Sequence, residues 1–481
     1  MDQPPIPLET IMLPSNETMT LPTLSFRPMN PRDFLSKVLV RDEEPVAGPS
    51  NAVNGASLHE RRTREPESSH ASGPVPEPES TPERTRGQVM MDHMQLFAAC
   101  WAVVLAGWND GTTGPLLPRI QQVYDVNYTI VSMLFVCASI GFVVGALINV
   151  PLSERLGFGK LMVLGSGIQA IAYAIDAAAL PFPVLCIGYA INGSGMAILS
   201  AQSNGYVASL KDEAKMGMLH AAYGFGALVA PLVSTQFSQV NRWSFHYLTS
   251  MGLALSCVVL QIAVLRFRTF DECMERVGRP IPEKGASTES NLKQIFRLKN
   301  MHTLAAFALI YTGVEATLGG WIVSYIIDER GGGANSGYIS SGFFAGLMIG
   351  RLLLLWVNEK VGEWFVIFLY SSLAIGLELV VWLVPSLIGN AIAVSIVGIV
   401  LGPFFPIAMN QAARIFPAWL LTPSIGWIAS VGQAGSAVLP FITGALAQTT
   451  GIGSLQPFLV SMMGLMMLLW AMVPRKASHR D

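Results

Sequence analysis

Charge is what this chain has least of. Asp, Glu, Lys and Arg make up 13% of its 481 residues, well below the roughly 25% of an ordinary soluble domain. With 51% hydrophobic residues, that shortfall excludes a water-soluble globular protein, because so much apolar surface needs lipid. The five cysteines, Cys100, Cys137, Cys186, Cys257 and Cys273, have no paired spacing. They exclude a disulfide framework and read as packing residues in a reduced or lipid setting. A formal net charge of -2 offers no hold on a polyanion, and no nucleic-acid motif is present. There is no glycine-rich lysine loop for a nucleotide, no metal-spaced cluster, and no paired nucleophile and base, so neither a cofactor nor an enzyme is expected.

What the chain does have is twelve mostly apolar runs of about the 20 residues that cross a bilayer as a helix. Six lie near 94–114, 129–150, 161–180, 183–208, 217–237 and 245–266, and six near 302–327, 336–357, 364–384, 386–413, 423–447 and 455–473. The second six repeat the first. Adding 205 to Gly141, Gly145, Glu154 and Gly157 gives Gly346, Gly350, Glu359 and Gly362; the same shift carries Thr112, Gly114 and Asp110 to Thr317, Gly319 and Glu315. A shift of 209 carries Gly226-Ala-Leu-Val-Ala-Pro231 to Gly435-Ser-Ala-Val-Leu-Pro440. Tandem parallel repeats of this size are one of the architectures of secondary transporters. The expected fold is an all-α membrane protein of twelve transmembrane helices in two six-helix halves. The expected divisions are a disordered tail over 1–92, halves over 93–266 and 301–474, a middle loop over 267–300, and a short C-terminus over 475–481.

The tail is dense in Pro, Glu, Ser and Arg, as in Glu77-Pro-Glu-Ser-Thr-Pro-Glu83, and too polar to bury a core. No apolar segment near Met1 reads as a cleaved signal, so the first span directs insertion, and the sequon at Asn16 is expected to go unused. Lys and Arg crowd the even-numbered loops and the C-terminus, while the odd-numbered loops hold only Arg119, Arg242 and Arg330. That asymmetry predicts both termini in the cytoplasm. The segment Asn291-Leu-Lys-Gln-Ile-Phe-Arg-Leu-Lys299 has an apolar face and predicts a short interfacial helix in the middle loop.

A charge at the centre of a spanning helix costs about 2.5 to 3.5 kcal/mol on insertion scales, so each needs a reason. Asp110 sits in Gly107-Trp-Asn-Asp-Gly-Thr-Thr-Gly-Pro115, read as a polar interruption of the first span that must face protein or a water-filled cavity. Asn109, Asp110 and Thr113 share one sector of that helix. Glu315 occupies the same place in the second half, with Gly319 one turn on and Trp321 on another face. The pair is expected at a central site that handles substrate or proton. Asp176 is close enough to a helix end to reach water, and Glu378 has no obvious partner.

Neutral amides are expected to complete the substrate site: Gln202 and Asn204 in span four, Asn410 and Gln411 in span ten, with Tyr223 and Gln433. Such groups suit a hydroxyl-rich solute but also glue helices together. The turns between spans two and three, with Glu154, Arg155, Gly157 and Lys160, and between eight and nine, with Glu359 and Lys360, read as gates. Arg351 is expected in a salt bridge holding that same face together.

The chain resembles the major facilitator superfamily over about residues 93–475, and Ser153-Glu-Arg-Leu-Gly-Phe-Gly-Lys160 looks like that superfamily's signature between helices two and three, with Glu154 where Asp is usual. More narrowly it resembles the fucose permease-like sugar:proton symporters, fungal members above all. Asn109-Asp-Gly-Thr-Thr-Gly-Pro-Leu-Leu-Pro118, His220-Ala-Ala-Tyr-Gly-Phe-Gly-Ala-Leu-Val-Ala-Pro231, Gly313-Val-Glu-Ala-Thr-Leu-Gly-Gly-Trp321 and Gly342-Phe-Phe-Ala-Gly-Leu-Met-Ile-Gly-Arg351 carry the likeness. The resemblance implies proton-coupled uptake of a monosaccharide, with Asp110 and Glu315, or only one of them, as the coupling acids; alternating access by a monomer in the plasma membrane is expected. Two features depart from the bacterial fucose permease pattern: Asp110 stands eight residues before Pro118 rather than four, and span four lacks an acid. An exporter of small metabolites would share the fold, as would a nutrient sensor on the same scaffold.

Overall fold

The computed structural model describes residues 84–280, 298–416 and 418–475. The tail before 84 with its Asn16 sequon, residues 291–297 of the expected interfacial helix, and residues 476–481 lie outside them. Among the described residues eleven helices are long and apolar enough to cross a membrane, and the bent pair Ala334–Leu353 and Leu355–Val361 makes a twelfth. In chain order they are α1 (Arg86–Tyr124), α2 (Tyr128–Leu156), α3 (Phe158–Ala177), α4 (Phe182–Ser209), α5 (Glu213–Ser238) and α6 (His246–Leu265). The second set is α7 (Lys299–Arg330), α8 (the bent pair, 53° at the break), α9 (Glu363–Leu383), α10 (Leu387–Ile415), α11 (Ala418–Thr450) and α12 (Leu455–Ala471). The protein is a multi-pass integral membrane protein, all-α, in two six-helix halves. Leu147, Val259, Leu353, Leu383, Ile388 and Leu468 are 65–73% exposed, an apolar coat that belongs against lipid.

The duplication holds for contacts as well as residues. In one half α1 packs on α5, α2 on α4 and α3 on α6; in the other α7 packs on α11, α8 on α10 and α9 on α12. A methyl group on Gly141 would collide with the backbone of Ala190, and one on Gly145 with Ser194. Shifted by 205, Gly346 meets Ser395 and Gly350 meets Ile399. Gly226 against Val104 has its counterpart in Gly435 against Leu309. These small residues let backbones touch where lipid offers no hydrophobic drive for helices to associate.

Three boundaries differ from expectation. α1 starts at Arg86, inside the expected tail, because Thr85 and Gln88 form a capping box and buried Asp92 binds Arg84 at 2.8 Å and Lys215 at 2.6 Å. The middle loop opens with a capped helix, Phe270–Arg276, where burial pushes the Cys273 thiol up to about 11; that thiol is a packing group. Finally, α1 runs unbroken through 107–118. Its glycines do not interrupt the helix but admit neighbours: Gly107 and Gly111 lie against α5, and Gly114 against the backbone of Gly319 on α7.

The halves meet closely at one end of the bundle. There the Tyr128 hydroxyl donates to Asp328 at 2.6 Å, the Gln448 side chain accepts from the Tyr128 N–H at 3.2 Å, Gln236 donates to Tyr338, and Gln239 donates to the Ala334 carbonyl at 3.2 Å. At the other end, where the α2–α3 and α8–α9 turns lie, Glu363 stays within its own half, accepting from Asn410 at 2.9 Å and pairing with Arg414 at 2.6 Å.

Candidate functional site

Between the halves lies a cavity of about 160 Å³. α1 contributes Asn109, Asp110 and Thr113, α7 Thr312, Glu315 and Gly319, α5 Tyr223 and α11 Gln433. Helical spacing explains the first two sets, since residues three or four apart share a face. Both acids of the repeat therefore stand in one chamber. The Tyr223 hydroxyl donates to Asp110 Oδ2 at 2.7 Å, and Asn109, itself accepting from Asn192, reaches Asp110 Oδ1 at 3.4 Å. Gln433 is steadied by Ser436 at 3.0 Å.

Arg351 joins this site. Its guanidinium stands 3.9 Å from Glu315 Oε1, both side chains largely buried, and lies 6.0 Å from the centre of the Tyr223 ring. The expectation that it would bridge the face carrying the turns is corrected by two physical facts. The α8 helix bends after Leu353, and a helical side chain leans toward its helix's N-terminus, which from Arg351 is toward the middle of the bundle. Asp110, Tyr223, Arg351 and Glu315 thus form a continuous polar series crossing from one half to the other.

Four expected amides lie elsewhere. Gln202 donates to Asn149 Oδ1 at 2.9 Å, Asn204 to the Ser200 carbonyl at 2.8 Å, Asn410 to Glu363 at 2.9 Å and Gln411 to the Pro474 carbonyl at 2.6 Å. Gln202 and Asn410 satisfy neighbouring helices, Asn204 the backbone of its own helix and Gln411 the C-terminal segment, and none of the four lines the cavity. Sequence reasoning missed Tyr189 on α4 and the apolar wall of Phe135, Phe142, Met196 and Phe344. Tyr189 stands three residues before Asn192 on the same helix, a spacing that could have flagged it.

Glu154, Arg155, Lys160, Glu359 and Lys360 are exposed at the end that carries the turns and form no ion pair among the described residues. Gly157 (φ 77°) and Gly362 (φ 90°) make the turns that carry them, in a backbone region that favours glycine. Asp176 does not reach water: it is 1% exposed, its Oδ1 packed against Gly188 with no hydrogen bond. Glu378 is fully buried in α9 with neither carboxyl oxygen hydrogen-bonded. Among the described residues no three His, Cys, Asp or Glu side chains gather as metal ligands.

Residues 99–419 match the family model of the Major Facilitator Superfamily. The chain is similar to Bypass of stop codon protein 6 of Saccharomyces cerevisiae, 25% identical over 411 residues, covering 79% of this chain and 82% of that protein. It is also similar to the glucose/mannose transporter GlcP of Bacillus subtilis, 24% identical over 344 residues, covering 69% and 83%. A crystal structure of the E. coli fucose:proton symporter superposes with a TM-score of 0.56 at 15% identity, over 81% of this chain and 100% of the other, a likeness of fold.

Proposed function

The chain belongs to the major facilitator superfamily, and on that premise we propose that it takes up a small polar solute such as a monosaccharide together with a proton, by alternating access. One observation carries the proposal: repeat-related acids from both halves, Asp110 and Glu315, share a small cavity and are joined through Tyr223 and Arg351. Intramembrane acids are functional candidates by default, and a carboxyl at the seam of two moving halves is placed to tie proton binding to their movement. Hydroxyl-rich solutes suit the lining of Asn109, Thr113, Thr312 and Gln433, and the similarity to a glucose/mannose transporter supports a sugar.

The lysine and arginine asymmetry favours both termini and the α2–α3 end in the cytoplasm, so the hydrogen-bonded latch is extracellular and the end that carries the charged turns faces the cell interior. Glu154, Arg155, Lys160, Glu359 and Lys360 then pair when the inner end closes. The cavity is enclosed by a single chain, which suits a monomer, and import places it in the plasma membrane. The test is uptake of labelled monosaccharides by the purified protein in vesicles, with and without an inward proton gradient. The gradient is expected to drive accumulation. Gradient-independent equilibration, or expulsion of a compound by expressing cells that cells lacking the protein retain, overturns the reading.

A further inference from the structure

Two carboxylates line the cavity, Asp110 and Glu315, and one guanidinium stands beside it, that of Arg351 at 3.9 Å from Glu315, so the group carries one negative charge in excess. Arg351 does not stand evenly between the acids. It pairs with Glu315 at 3.9 Å, whereas Asp110 is held by neutral donors, the Tyr223 hydroxyl at 2.7 Å and the Asn109 amide at 3.4 Å. His220, Tyr223 and Tyr311 are the other titratable side chains facing Arg351, and none carries a charge in this count.

Resting on the proton-coupled reading above, we propose that Arg351 fixes the stoichiometry at one proton per solute, by balancing Glu315 and leaving Asp110 as the single uncompensated acid. An empty cavity is filled with water, which solvates the excess charge and lets the site return ionised. A bound solute displaces that water. An uncompensated charge sealed from water is strongly unfavourable, so the loaded site crosses once Asp110 has taken a proton from the outer solution, and it gives that proton back on the inner side.

The count makes each variant distinct. Asp110→Asn leaves a balanced pair and carries no proton. Arg351→Gln leaves two bare carboxylates and needs two. Removing both members of the pair, Arg351→Gln with Glu315→Gln, avoids a stranded charge and leaves Asp110 alone, so one proton is again carried.

The measurement is the membrane potential at which net flux of labelled glucose vanishes, in vesicles of the purified full-length protein with glucose tenfold higher inside and equal pH. A tenfold gradient is balanced at about 59 mV by one charge and at about 30 mV by two. The wild type and the paired variant are expected at about 59 mV, Arg351→Gln at about 30 mV, and Asp110→Asn at no potential. Exchange of labelled for unlabelled glucose at zero potential reports folding independently of coupling. A pH difference of one unit replacing the potential identifies the charge as a proton. Wild-type flux indifferent to both forces removes the proton-coupled reading and this inference with it. If the wild type balances at about 59 mV but the paired variant is uncoupled, or Arg351→Gln also balances at about 59 mV, this inference alone fails.

Discussion

Arg351 of one half lies over the ring of Tyr223 of the other, 6.0 Å from guanidinium carbon to ring centre. Each of the two also holds the acid of its own half, Arg351 pairing with Glu315 and Tyr223 with Asp110. A cation over an aromatic face contributes about 0.5–2 kcal/mol, weak enough to break whenever the halves rock and strong enough to register that they have.

Tyr223→Phe keeps the ring under Arg351 and deletes only the hydroxyl. Asp110 then loses a charge-assisted hydrogen bond of about 1.5–3 kcal/mol. Proton-driven accumulation is expected to fall at least tenfold while solute exchange persists. Unchanged accumulation would show that Tyr223 only packs.

The amides give a paired prediction. Gln433 lines the cavity and Gln202 bonds Asn149 between α4 and α2. A neutral hydrogen bond contributes about 0.5–1.5 kcal/mol, so Gln433→Ala is expected to raise KM by roughly two- to tenfold. Gln202→Ala is expected to lower thermal stability and leave KM alone. The reverse pattern would move the binding site toward the α2–α3 end.

The repeat in the sequence foretold the span number, the two acids in one chamber and the glycines that serve both halves alike, because duplication preserves contacts. Side-chain direction was hidden. Arg351 looked peripheral because spacing along a helix gives depth but neither the bend after Leu353 nor the lean of a long side chain. Gln202, Asn204, Asn410 and Gln411 have the chemistry of a sugar site, and only the fold shows that neighbouring groups already occupy them. The glycines of α1 read as a break by the rules for helices in water. Inside a bundle they serve close approach.

Glycine substitution separates close contact from open space. In Gly350→Ala the added methyl meets the Ile399 carbonyl, whereas Gly205 has nothing within 4 Å. Overpacking costs typically 1–3 kcal/mol, while alanine for glycine in an unhindered helix stabilises by about 0.4–1 kcal/mol. Melting of the purified protein should therefore fall for Gly350→Ala and rise or hold for Gly205→Ala. Equal melting points would deny that the α8–α10 contact is as tight as described.

Truncation has a sharp boundary. Deleting residues 1–80 spares the Thr85 cap and Asp92, and flux is expected to persist. Deleting 1–92 removes both and leaves Lys215 and Arg279 without the buried carboxylate they share. Stranding a buried charge costs about 3–5 kcal/mol, so that form is expected to be poorly folded in detergent. Loss of flux in the shorter deletion would give residues 1–80 a role that their composition does not suggest.

The latch tests the movement itself. Gln236 of α5 hydrogen-bonds Tyr338 of α8, and both belong to the end where the halves are joined. Alternating access requires these two helices to part at that end in every cycle, so a covalent link there must stop transport without disturbing the cavity. In a background with the five native cysteines replaced, Gln236→Cys with Tyr338→Cys should lose flux on oxidation and regain it on reduction, while each single variant is indifferent to both. A disulfide needs its two Cβ atoms within about 4.5 Å, closer than the touching tips of a glutamine and a tyrosine require, so the informative outcome is flux after cross-linking is complete: flux that continues would mean that this end never opens.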